Sequence, residues 1–127
     1  MNIIIIAVGG AIGTISRFGL NKLFFDPSGA NTLSTFIANS TGSFILGFLI
    51  AYISMKPEWP PEIKLFLSIG ILASYTTFST FTVSTIYMIE NGELIKALIN
   101  VSASILVGLI AAYLGIILGR SIGSISG

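Results

Sequence analysis

Cysteine and histidine are both missing from the 127 residues, and only 9% of the chain is charged. Without them there are no disulfides, no thiol nucleophiles and none of the commonest transition-metal ligands. Soluble domains carry about a quarter charged residues. At 54% hydrophobic and a mean hydropathy of +0.97, this chain does not match that class. The five acids, Asp26, Glu58, Glu62, Glu90 and Glu93, all fall in expected loops or at helix ends. No two of them share an apolar segment, so a buried acid–base dyad has nothing to be built from. The many Ser and Thr hydroxyls lack a His or other basic partner that could activate them, and no enzyme is expected. A net charge of +1 offers nucleic acid no basic surface.

What is present is a series of long apolar segments. They predict an all-α membrane protein: a single four-helix transmembrane domain over residues 1–127. The spans fall at about 3–21, 33–54, 62–89 and 94–119, each able to cross a hydrocarbon core of about 30 Å. The first lacks a basic n-region and is followed by similar segments, so it reads as a retained span and not as a cleaved leader. Asp26-Pro27-Ser28-Gly29 closes the first connection. Pro57, Pro60 and Pro61 forbid a helix continuing through the second, where Trp59 suits the headgroup level. The fourth span is expected to stop at Arg120, before a Gly/Ser tail. Runs such as Ile3 to Ile6 do not alternate, which argues against membrane strands.

Four spans put Lys56, Lys64 and Arg120 on one side and Arg17, Lys22 and Lys96 on the other. This even split gives almost no orientation signal. Two readings remain: a noisy count from few charges, or insertion in both directions. Gly9, Gly10 and Gly13, then Gly42 and Gly47, then Gly108, Gly115 and Gly119 let backbones approach closely. Some must serve packing within the chain, and some are expected at a subunit interface, because four helices alone enclose little room.

The unusual stretch is Ser74 to Thr85, in the middle of the third span, where a lipid-facing helix would be rich in Leu and Ile. Two or three hydroxyls would be unremarkable, because each can bond to the preceding turn. This many, beside Phe78 and Phe81, predicts a functional polar core. A break near residues 73–77 would shorten an overlong span and expose carbonyls, which is tolerated only where they line a site. Asn39 is the second polar residue at depth, with two readings: a bond between helices, or an amide donor to a passing anion. Arg17 lies near enough to a helix end to snorkel. With no acid lining the interior, the chemistry favours a small, strongly hydrated anion over a cation. Hydroxyl and amide hydrogens can replace its water, and the positive edge of an aromatic ring can face it.

The motifs Gly9-Gly10-Ala11-Ile12-Gly13, Arg17-Phe18 and Thr35-Phe36-Ile37-Ala38-Asn39, then Gly42-Ser43-Phe44 with Gly47, and Thr76-Thr77-Phe78-Ser79-Thr80-Phe81 occur in this order. In this the chain resembles the Fluc (CrcB) family of small bacterial fluoride channels, whose TTFSTF signature the last motif matches letter for letter. The resemblance implies a passive, selective fluoride channel in the bacterial cytoplasmic (inner) membrane, exporting the ion and giving fluoride resistance. It implies an antiparallel, dual-topology homodimer with two pathways along the subunit interface, some members pairing two unlike chains. Carried over residue by residue, the resemblance implies a fluoride pathway of Asn39, Phe78, Phe81, Ser79, Thr80 and Tyr113. The resemblance also implies a structural Na+ at the dimer interface, held by the backbone carbonyls of Ala73 and Thr76. Arg17 and Ser84 are expected to be structural or to line a vestibule.

The chain also departs from the family pattern. Ala73-Ser74 stands where two glycines are usual, and Ser84 where a carboxylate is common. A helix-four hydroxyl appears as Ala112, or is supplied by Tyr113. Competing readings are a small four-helix multidrug exporter, which would need a membrane-embedded glutamate, and a non-transport assembly subunit, which would need no polar centre.

Overall fold

A computed structural model describes residues 1–126, all of whose regular elements are helical. α1 spans Asn2–Leu23 and α2 Thr32–Ser54. The third apolar stretch, Pro61–Glu90, is composite. It comprises α3 (Pro61–Lys64), a π-helix π1 (Leu65–Leu72), α4 (Ala73–Tyr75) and α5 (Phe78–Glu90). α6 runs from Leu94 to Ser126. Four stretches are thus long and apolar enough to cross a membrane. Their surfaces are apolar too: Ile3, Ile95, Leu98 and Leu109 are each more than 60% exposed, as lipid-facing side chains should be.

Backbone contact between glycine-bearing faces builds the packing. α2 and α6 form the most extensive pair. A methyl group on Gly115 would strike the Phe44 carbonyl oxygen and lie 3.0 Å from the Phe48 nitrogen; one on Gly47 would lie 2.6 Å from the Ala112 carbonyl oxygen. α1 packs on π1 in the same manner, with a Gly9 methyl 2.9 Å from the Gly70 Cα. Without Cβ atoms in the way, helices gain dispersion contact in a setting where apolar burial alone drives little association.

The connections follow local chemistry. Asp26 accepts bonds from the Ser28 amide (2.9 Å), the Ser28 hydroxyl (2.7 Å) and the Asn31 amide (3.2 Å). These, the Ser28 hydroxyl foremost, hold its pKa below the ordinary carboxylate value. At the end of α2, Tyr52 stacks on Phe48 and meets the edge of Trp59, while Lys56 lies over the Tyr52 ring.

Two features depart from the sequence reading. α6 does not stop at Arg120. Gly119 fits against the Phe48 carbonyl and Gly123 against Met55, so packing on α2 carries the helix through residues of poor intrinsic propensity. The eight residues of π1 have no counterpart in the expectations.

Candidate functional site

At the centre of the 30-residue stretch Pro61–Glu90, Thr76 and Thr77 leave the helical backbone. Thr76 has φ −85° and ψ 157°, and Thr77 φ −151° and ψ 124°, both extended. The Thr76 amide keeps its helical bond to the Leu72 carbonyl at 3.2 Å, but the Thr77 amide needs a new partner. Asn39, on the neighbouring α2, meets the need at Thr77 from both directions. Its Nδ2 donates to the Thr77 carbonyl at 2.9 Å, and its Oδ1 accepts from the Thr77 amide at 2.8 Å. The side-chain amide stands in for a paired strand one residue long. One Nδ2 hydrogen is spent on Thr77 and the other stays available. Thr77 Oγ1 in turn caps α5, accepting from the Thr80 amide at 3.4 Å.

This rewiring changes two carbonyls. In a continuous helix the Thr77 amide would bond Ala73 O, and the Thr80 amide would bond Thr76 O. Both amides are directed elsewhere, so Ala73 O and Thr76 O lose their ordinary helical partners. Gly42 allows the approach: a Cβ there would run into the Thr76 side chain. Tyr75, packed beside Gly42, shares a 3.0 Å hydrogen bond with Thr41.

The sequence-picked residues gather unevenly. Asn39 and Phe78 line one cavity of about 280 Å³ with Gly42, Ser43, Thr76 and Thr77. The Phe78 and Phe81 rings are 6.0 Å apart and tilted by 48°, and Phe78 is 76% exposed. Ser79 is exposed, its hydroxyl 3.4 Å from that of Thr77. Thr80 lies on the other side of the segment and shares a cavity of about 210 Å³ with Arg17, Asn21, Asn31 and Thr35. Arg17, half-buried, thereby places a positive charge in the same cavity as Thr80. Ser84 is buried, with its hydroxyl on the Phe81 carbonyl at 3.0 Å. Ala73 is exposed beside the extended pair. Tyr113 stands apart. It is 64% exposed and about 130° round α6 from the glycine seam, at 100° per residue.

Asn100, which the sequence reading passed over, is 9% exposed and donates to Thr85 across α5 and α6. The signal that singled out Asn39, an amide deep in an apolar span, was present there as well.

Among the described residues, no three acids, His or Cys cluster so as to hold a metal.

Comparison with known proteins bears on the same residues. The chain is 36% identical over 126 residues to the fluoride-specific ion channel FluC of Dehalococcoides mccartyi strain BAV1, covering 98% of this chain and 97% of that one. To the protein of the same name from Hydrogenobaculum sp. it is 38% identical over 120 residues, covering 94% and 98%. To that from Thermus thermophilus it is 36% identical over 120 residues, covering 94% and 95%. Residues 4–116, a range that holds the extended pair, the Asn39 clamp and both rings, match the family described as CrcB-like protein, Camphor Resistance (CrcB), and the chain belongs to that family.

Proposed function

We propose that this multi-pass membrane protein is a passive, selective fluoride channel, exporting cytoplasmic fluoride and conferring fluoride resistance. The observation that carries the reading is the Asn39–Thr77 clamp. It holds a donor-bearing, non-helical segment at the middle of a span, with Phe78 next in the chain and Phe81 one turn on. Family membership and relatives named as fluoride-specific channels support it.

Fluoride holds its water tightly, so a dry path must replace that water with hydrogens. The spare Asn39 hydrogen, the Ser79 and Thr80 hydroxyls and the positive edges of the Phe78 and Phe81 rings supply them. None of these groups titrates near neutrality, so the path conducts passively and needs no proton coupling. Arg17, sharing a cavity with Thr80, draws anions toward it. Fluoride enters cells as neutral HF and dissociates inside, so a selective leak in the bacterial cytoplasmic membrane relieves the trap. A bacterium stripped of its own fluoride export should regain growth in fluoride when given this chain. Growth no better than that of the empty-vector strain would reject the export role.

The working unit in this reading is an antiparallel dimer. Phe78 stands three-quarters exposed in the single chain, and the basic residues divide evenly between the two ends. Two facing breaks would bring the Ala73 and Thr76 carbonyls of both copies together, and oxygens without helical partners fit a monovalent cation such as Na+. A diffraction map with anomalous scattering tests both parts. The expected result is a cation between those carbonyls at the axis of two antiparallel copies. Parallel copies, or water alone at the axis, would reject the arrangement.

A further inference from the structure

Helix α5 carries Phe78 and Phe81 and packs on α6 and α2. One line of hydrogen bonds crosses from α6 into the turn that bears Phe81. Asn100 Nδ2 donates to Thr85 Oγ1 at 2.9 Å, and Thr85 Oγ1 donates to the Phe81 carbonyl at 2.8 Å. The direction is fixed by chemistry. A carbonyl only accepts, so the single hydrogen of Thr85 lies on the Phe81 bond. Its oxygen must then accept from Asn100, and only the amide NH2 can give. Ser84, 1% exposed, places a second hydroxyl on the same carbonyl at 3.0 Å.

An amide buried in an apolar helix costs free energy unless it is bonded, and leucine would suit a contact that needed packing alone. A tether between helices would explain an Asn100–Thr85 bond by itself. It does not explain why the bonds run on to the carbonyl of a ring-pair residue. Hydroxyls that bond back to the preceding turn bend a helix locally. Two of them on one carbonyl, one held from α6, set the tilt of the turn from which the Phe81 ring projects.

We propose that Asn100 is a positioning residue for the ion path: acting through Thr85, it fixes the orientation of the Phe81 ring. This rests on the channel reading above, and the ring's orientation can be followed independently of flux. Free of Asn100, the Thr85 hydroxyl turns to other acceptors, the Phe81 turn loosens, and the ring edge samples several directions.

The test places 4-fluorophenylalanine at position 81 and records its fluorine resonance in the purified full chain, together with fluoride efflux from liposomes. Asn100→Leu removes the donor. Thr85→Val removes the hydroxyl at nearly constant shape and guards against a variant that fails to fold. Each should move or broaden the resonance and lower flux about tenfold, the scale of one hydrogen bond. The double variant should be no worse than either single one, because both break the same line. Thr85→Ser, which keeps the hydroxyl, should restore both readouts. An unchanged resonance in Asn100→Leu and Thr85→Val overturns the assignment even if flux falls, since the residues would then act only on stability. Strictly additive losses overturn it as well. A parent chain passing no fluoride would reject the channel reading, and the resonance would still decide the role of Asn100.

Discussion

Asn39→Asp is expected to lower fluoride efflux about a hundredfold in protein that is still assembled. An ionised Asp keeps an acceptor for the Thr77 amide but turns a second oxygen toward the Thr77 carbonyl, where Nδ2 now donates at 2.9 Å. Two acceptors then face each other. Losing a buried donor while creating an unpaired charge costs about 1–3 kcal/mol or more, which reaches a hundredfold before any effect on the ion. The ion is affected as well, because the spare amide hydrogen is replaced by negative charge in the path. Asn39→Ala separates the two contributions: it frees both Thr77 groups but adds no charge, so its loss should be smaller than that of the aspartate. Efflux from reconstituted liposomes, normalised to folded protein, reads both variants. Undiminished flux in Asn39→Asp would remove the clamp from the account.

Gly115→Ala should loosen the fold more than any other single methyl group on α6. The added Cβ would collide with the Phe44 carbonyl and sit 3.0 Å from both the Phe44 carbon and the Phe48 nitrogen, all of them backbone atoms that no rotamer change can move. Overpacking of this kind costs about 1–3 kcal/mol, and the extensive α2–α6 contact would have to part to admit it. Gly108 is the internal control. A methyl there meets only the Ser43 hydroxyl, at 4.0 Å, so Gly108→Ala should not lower stability and should gain up to about 1 kcal/mol from the better helix propensity of alanine. Thermal unfolding in detergent separates the two. Equal midpoints would contradict the glycine seam.

The four apolar spans were legible because hydropathy, turn residues and prolines act locally. The polar centre from Ser74 to Thr85 was legible for a similar reason: so many hydroxyls and rings in one apolar span stand out against any lipid-facing pattern. How Asn39 uses its amide was not legible. Its partner, Thr77, lies 38 residues away, and the pairing exists only once α2 and the third stretch are packed. The residues of π1, Leu65 to Leu72, are apolar almost throughout and carry no local sign of a wider helix. Contacts of Gly9 and Gly13 with Phe66, Gly70 and Ile71, all backbone, set which face π1 presents to α1. The expected stop at Arg120 failed because intrinsic propensity was weighed without the groove on α2 into which Gly119 and Gly123 fit. Tyr113 was chosen for a hydroxyl near a motif position. On a helix one position is a turn of about 100°, so its ring projects from another face of α6 than the glycine seam, exposed in the single chain as Phe78 is.

Selective passage of fluoride through this chain alone is the central claim, and ion efflux from liposomes measures it most directly. Vesicles carrying the purified protein are loaded with potassium fluoride or potassium chloride and opened to potassium with valinomycin, so that only the anion limits release. Ion electrodes outside should register rapid loss of fluoride, rising with the protein added, and retention of chloride at the level of protein-free vesicles. Fluoride release no faster than from empty vesicles, or equal release of both anions, would contradict the account.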